Sequence, residues 1–505
     1  FSILINQYYG YLGINPIDSF FSFNSGYDVL NGYFPFKDYW TITGPFIALT
    51  QAIFFKIFGV SWFSYVLHAS TFNFLIVIAT FYTLIKFDLN IHYCFFYALL
   101  TSITAYPISG TPFIDHHSSI LSLLALFSFI LSLKTKLNFY WFLTPILLGS
   151  AFLSKQTPAG YIGLIIVFFS LIYFIYIFNI KKILFFFTGS VSIITFFILF
   201  LLINKISFLS FYEQYILFPL NIGEGRFQHL VFPIEFKRIV LRFKLIHLSQ
   251  LILIIIIFKN ISKNIKYLKN EEFFILTSII TTSLALIFHQ IVTINQKFIF
   301  FIIPILLGFS HIYFKKNFTN KIQVIYLLIF LGIGSTIYNK LNYVDNRKFM
   351  ELANVNLKKS VNAISLDSRL KNLKWINSAY PNNPEKEIEY IKNSIKFIKK
   401  DSRKKMIITE YQFISSLMPN NVYSPSRTYL QNGASHPLKG DKQFETYKSF
   451  FINQIIKNDI KIIYTIKPLD SYIYFSILDE NCVQENKINE ILNSHLILGC
   501  DILGN

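Results

Sequence analysis

Asp115, His116 and His117 stand side by side at the head of an apolar run, in Ser109-Gly-Thr-Pro-Phe-Ile-Asp-His-His-Ser-Ser. An ionisable side chain at the edge of a hydrocarbon phase is costly unless paired or wetted, so such a cluster reads first as functional. Adjacent helical residues point about 100° apart, so these three do not converge on one metal; their plain structural use is a cap and interfacial anchors. Lys155, in Leu153-Ser-Lys-Gln-Thr-Pro158, interrupts two apolar stretches and either lies against an active face or snorkels to the surface. Glu213 to Arg226 carries a cation on a glycine-hinged segment, and His289-Gln290 begins another polar stretch that runs to Lys297. Three further acids, Asp18, Asp28 and Asp38, lie among aromatics in the segment from Asn15 to Pro45. Asp18 is expected to cap a helix running to about Leu30 and ended by Asn31-Gly32, with its Phe and Tyr residues laid in the membrane interface.

The elements that must position these residues are membrane spans. Of the 505 residues, 53% are hydrophobic and only 14% are charged, against about a quarter charged in an ordinary soluble domain. Mean hydropathy is +0.47. Long apolar runs alternate with short lysine clusters as far as residue 340, after which the chain turns polar. Spans are expected at 61–85, 93–109, 118–133, 139–153, 161–180, 183–203, 239–258, 273–289, 298–314 and 322–339, with 139–153 the weakest. Phe1–Ile5 reads as the last turns of a further, truncated span, which makes about eleven. The fold class is therefore mainly α: a polytopic helical bundle over 1–340, with a first loop at 6–60, followed by a soluble α/β domain over 341–505.

In that tail, Met406–Thr409 and Lys461–Thr465 read as strands, and 382–400, 441–457 and 485–495 as amphipathic helices. Cys482 and Cys500 both lie there, either disulfide-linked or as free thiols, while Cys94 falls inside a span. The net charge of +19 sits largely in short loops, where it marks the cytoplasmic side, and no nucleic-acid signature accompanies it. Lys86, Lys134, Lys136, Lys181, Lys182, the Lys259–Lys269 run and Lys315, Lys316 and Lys321 share one side. The loops at 6–60, 109–117, 154–160, 204–238 and 289–297 and the tail fall on the other, extracytoplasmic side. Lys237, Arg238, Arg242 and Lys244 run against the rule.

The order of these features resembles the GT-C superfamily of membrane glycosyltransferases, in particular the protein O-mannosyltransferase and lipid A aminoarabinose transferase branch. The shared marks are an acid just after the first span, a G-x-x-P-[FY]-x-D-[FY]-W stretch at Gly32–Trp40 leading to Gly44-Pro45, a second outer acid, and a Leu-x-Lys motif. The branch often has Asp-Glu where this chain has Asp18-Ser19, and Lys-Pro or Pro-Pro where it has Gly44-Pro45. The resemblance implies a multi-pass enzyme of the cell (inner) membrane that uses a polyprenyl-phosphate sugar. A hexosyl or pentosyl group would pass, with inversion, to a cell-surface glycan, lipid or protein. It gives Asp18 the part of general base, with Asp38 as competitor. Asp115 would orient the acceptor or help hold a divalent ion, no cofactor being otherwise implied. Lys155 and Arg226 would hold the departing phosphate, with His116 and His289 lining the substrate.

Two other readings compete. A lipid-linked oligosaccharide flippase or transporter would carry its charges at mid-membrane, whereas here they lie at the outer edges. An O-antigen polymerase or ligase would carry a late arginine-bearing outer loop in place of an acidic first one. A phosphatase reporter fused after Lys340 is expected to be active and a cytoplasmic fluorescent reporter dark; the opposite pair would invert the topology.

Overall fold

With water excluded, an apolar run satisfies its backbone hydrogen bonds only as a helix or in a closed barrel. The computed structural model describes residues 1–229, 236–293, 298–318, 322–418, 422–430, 433–467, 477–478 and 480–498, the side chains of 226–229, 298 and 480 apart. Among the described residues, nine helices are long and apolar enough to cross a bilayer. They are Trp62–Lys86, Ile91–Ile108, Ile114–Thr135, Gln156–Tyr176, Ile180–Ile203, Lys244–Lys263, Glu271–Val292, Ile299–Asn317 and Ile322–Met350. The tenth expected span is a helix of 15 residues, Asn138–Phe152. At about 1.5 Å per residue it falls short of the ~30 Å hydrocarbon core. The chain is thus a polytopic helical membrane protein with a sheet-bearing C-terminal region.

Two compact units divide the chain. One comprises 1–10, 69–200 and 226–349; the other comprises 11–68, 201–225 and 350–505.

In the first unit, the most apolar 18-residue stretches of Ile114–Thr135 and Ile299–Asn317 are 83% buried and that of Ile180–Ile203 only 17%, so the former two are interior helices and the last is largely exposed. Ser118, Ser119, Ser122, Ser128 and Ser132 are buried along Ile114–Thr135, and small hydroxyl residues let neighbouring helices approach closely. Ser128 Oγ donates to the Tyr140 carbonyl at 2.8 Å, tying this helix to Asn138–Phe152. Ahead of Ile114, the loop turns at Gly110, which has φ +74°. A Cβ there would meet the Gly10 backbone at 2.6 Å, so the Ser2–Gly10 helix lies directly against that loop.

The second unit is built on a five-stranded sheet: β3 (Lys405–Thr409), β4 (Val422–Tyr423), β5 (Ile462–Ile466), β6 (Val483–Lys487) and β7 (Leu492–Ile497). A separate antiparallel pair is formed by β1 (Val361–Asn362) and β2 (Lys374–Trp375). The sheet order is β4-β3-β5-β7-β6, with β4, β3 and β5 parallel and the last two strands antiparallel. Strands β3 and β5 are buried throughout, as parallel strands covered on both faces must be. Helix Pro384–Lys400 buries Ile388, Ile391, Ile395 and Ile398 with Ile407 of β3. Helix Phe444–Lys457 buries Tyr447, Phe451 and Ile455 with Met406 and Ile408, the residues that point the other way.

Both cores are completed by residues from far upstream. Phe20, Phe23, Phe55 and Trp62 join the first, and Trp40 and Phe218 the second. This corrects two expectations. Phe20 and Phe23 are not interfacial anchors: a protein core offers them aromatic partners, Phe20 stacking with Trp375 at 5.7 Å and Phe23 meeting Phe55 at 5.0 Å. Asp18 is not the cap either. Asn15 occupies the N-cap of a one-turn helix, Pro16–Ser19, that contains Asp18, and a second helix, Phe21–Leu30, runs to Asn31 and Gly32 (φ +83°).

The helix expected at 485–495 is instead the β6–β7 hairpin. Its apolar spacing mimics a helix, but Asn489 Oδ1 accepts from the Ile491 and Leu492 amides at 2.9 and 2.8 Å, which turns the chain and lets β7 pair with β5. Cys482 is disulfide-bonded; Cys500 lies outside the described residues, and Cys94 is a buried free thiol.

Trp40 is 1% exposed, packs on Tyr447 and Phe450 with centroids at 5.1 and 5.8 Å, and its indole nitrogen has no acceptor among the described residues. Trp40→Ala is expected to cost about 3–5 kcal/mol through the cavity it leaves. Trp40→Phe, which abandons no hydrogen bond, should cost under about 2 kcal/mol. Thermal unfolding of the purified protein in detergent reads both, and equal losses would contradict the packing role.

Candidate functional site

A carboxylate inside an apolar bundle is tolerated only with a partner for its charge. Asp115, in the first turn of Ile114–Thr135, is 2% exposed. Both of its oxygens accept from Lys155 Nζ at 2.7 Å, and Oδ1 accepts from His289 Nε2 at 2.9 Å. The three side chains come from three helix ends. Lys155 immediately precedes Gln156–Tyr176 in an extended conformation, and His289 lies in the last turn of Glu271–Val292. Asp115 is well placed at a helix N-terminus and the imidazole at a C-terminus; Lys155 is held at a positive helix end against that field. Ser118, one turn beyond Asp115, donates to the Lys155 carbonyl at 3.1 Å and fixes the lysine's backbone on the same helix face. Of the three side chains Lys155 alone reaches the surface appreciably, at 21% exposed against 2% and 0%. The group therefore presents one accessible cation, aimed from beneath by a buried carboxylate.

The two histidines beside Asp115 diverge from it. His116 Nδ1 pairs with Ser109 Oγ at 2.9 Å, and His117 Nδ1 pairs with the Tyr106 hydroxyl. Their loop is fastened from elsewhere in the same unit. Arg347, fully buried, donates to the carbonyls of Pro107, Ile108 and Ser109 at 3.0, 3.1 and 2.9 Å. Asn6 Nδ2 donates to the Gly110 carbonyl at 3.2 Å. Arg347 was not a sequence candidate, because nothing in Asp345-Asn-Arg-Lys marks that arginine as buried.

The other expected acids lie in the second unit. Asp18 is half-buried, and its Oδ2 accepts from Asn15 Nδ2 at 3.1 Å. Asp38 closes a turn by accepting from the Phe34 amide at 2.8 Å and pairs with Lys457 at 3.1 Å. Asp28 meets the buried guanidinium of Arg427, which also lies 3.6 Å over the Tyr39 ring. Burial pushes the Asp28 carboxyl up to about 6, against the pull of Arg427. Arg427 was likewise missed: Ser424-Pro-Ser-Arg carries no local signal of a partner 399 residues away. The structure thus brings Asp115, Lys155 and His289 together, turns His116 aside, and sets Asp18 and Asp38 in the second unit. Arg226 falls among the side chains outside the described ones. Among the described residues, no group of three or more His, Cys, Asp or Glu is arranged to hold a metal ion.

Removing one partner of a buried pair is costly because the other charge is stranded. Lys155→Met is expected to destabilise the protein by about 3 kcal/mol, with Asp115→Asn less harmful because the freed ammonium can turn to water. The double variant should fall short of the summed losses by about 1–3 kcal/mol. Strict additivity in thermal unfolding would show that the pair is not coupled.

No protein-family model matches the sequence, and no curated protein matches it with statistical significance. Among solved structures, the chain is similar to the archaeal oligosaccharyltransferase AglB from Archaeoglobus fulgidus, solved in complex with an inhibitory peptide and a dolichol-phosphate. Identity there is 12% and the TM-score 0.44, over 94% of this chain and 70% of that one. It is also similar to ArnT from Cupriavidus metallidurans, solved bound to undecaprenyl phosphate, at 10% identity and a TM-score of 0.46, over 100% of this chain and 98% of that one.

Proposed function

We propose that this chain is a membrane glycosyltransferase that moves a sugar from a polyprenyl-phosphate-linked donor to an extracytoplasmic acceptor, a cell-surface glycan, lipid or protein. The observation that carries the proposal is the Asp115–Lys155–His289 group. A lysine held by a buried carboxylate at the ends of membrane-crossing helices is where the phosphate of a lipid-linked donor needs a cation. In the reaction the acceptor's oxygen or nitrogen bonds to the anomeric carbon with inversion. The bond from that carbon to the phosphate oxygen breaks, and polyprenyl phosphate leaves with the electron pair. Lys155 stabilises the charge developing on that phosphate, and Asp115 and His289 keep the ammonium in position; Arg226 is a second candidate cation. Asp18 takes the acceptor's proton, as the family resemblance implies. Asp38 is the weaker base, since both its oxygens are already engaged by the Phe34 amide and Lys457. In this reading the helices lie in the cell membrane and the soluble part faces away from the cytoplasm.

Mass spectrometry of surface glycans and lipids from a deletion strain should show a missing sugar; an unchanged profile would remove the reading. Asp18→Asn keeps the size of the side chain. It is expected to lower transfer by about 10²–10⁴-fold with near-normal expression and donor binding. If Asp38→Asn abolished transfer while Asp18→Asn was nearly silent, the base would move to Asp38.

A further inference from the structure

The second unit contains a polar pocket outside the Asp115 group, walled by Asp28, Asp38, Arg427 and three tyrosines, Tyr27, Tyr33 and Tyr423. We propose that this pocket binds a neutral sugar ring. The inference goes beyond the proposed transfer and stands without it.

Each acid of the wall has a cationic partner, Arg427 inside the wall and Lys457 outside it. Asp28 is paired with Arg427, and Asp38 with Lys457. The guanidinium is further consumed by the carbonyls of Ser424 and Ser426 at 2.8 and 3.2 Å and by the Tyr39 ring. Its Nε, without a partner among the described residues, is buried away from solvent and so is not offered to a phosphate, and a metal cation would meet the guanidinium beside Asp28. What remains is hydrogen-bonding capacity without net charge. Asp28 Oδ2 accepts from Arg427 and from Asn24 Nδ2 at 3.2 Å, whereas Oδ1 accepts no hydrogen bond from the described residues. A carboxylate oxygen is an acceptor with two lone pairs, matched to ligand hydroxyls. The tyrosines supply apolar ring faces with polar tips; Tyr33 and Tyr423 meet edge-to-face at 6.2 Å, which keeps the two rings in fixed relative orientation. Hydroxyl-binding acceptors beside aromatic faces, in a concave site of balanced charge, suit a pyranose, whose equatorial hydroxyls ring an apolar face.

The test is saturation-transfer NMR on the full chain in lipid nanodiscs, with the methyl glycosides of glucose, galactose and mannose as probes. At least one glycoside should show transfer above empty nanodiscs, falling at least fivefold in both Tyr33→Ala and Asp28→Asn. Tyr33 is partly exposed, so its substitution carries the test if Asp28→Asn proves poorly folded. No transfer from the wild-type protein to any glycoside, or transfer undiminished in Tyr33→Ala, would overturn the proposal.

Discussion

A single buried carboxylate organises the polar part of the first unit. Asp115 sits near the start of a largely apolar helix lined with small hydroxyl residues, and among the described residues its charge is sustained by Lys155 and His289. That requirement fixes where three helix ends lie relative to one another. It also accounts for the hydroxyl of Ser118, which anchors the backbone of Lys155, and for the effort spent on the preceding loop. Three carbonyls of that loop converge on Arg347, and Gly110 lets the Ser2–Gly10 helix come within backbone contact. An arginine bound to carbonyls keeps its charge away from the acid and spends its fork of donors on geometry.

The second unit follows a different rule, that of a covered parallel sheet. Strands β3 and β5 need an apolar layer on each face, and two amphipathic helices of the tail supply only part of it. Aromatic residues from 11–68 and 201–225 complete both layers, which explains why the Gly32–Trp40 stretch is so aromatic. Trp40 fills one core, and Tyr39 lies under a guanidinium. The acids interspersed there are held by the same packing: Asp28 by Arg427, Asp38 by Lys457.

These two environments treat acids differently. Asp115 is enclosed by a cation and an imidazole and has almost no contact with solvent, so it acts on Lys155. Asp28 has one oxygen that accepts no hydrogen bond from the described residues at a pocket wall, and burial raises its carboxyl pKa against the pull of Arg427. Asp18 lies in a one-turn helix, partly buried, with Asn15 donating to its carboxylate.

The sequence by itself determined the helical membrane class, nearly all the spans, and the helices at Pro384–Lys400 and Phe444–Lys457, because apolar runs and 3.6-residue periodicity are carried by near neighbours. It also marked Asp115, Lys155 and His289 as polar residues out of place in apolar surroundings. It could not say that they touch: His289 and Asp115 are 174 residues apart, and no local pattern encodes that pairing. The same limit hid Arg347 and Arg427, whose partners are remote, and misdirected Phe20 and Phe23 toward lipid when a core awaited them. At 485–495 periodicity pointed to a helix, and the turn at Asn489 with the open edge of β5 made strands. Local spacing sets which face of a segment is apolar; only tertiary packing decides what covers that face and which charge neutralises which.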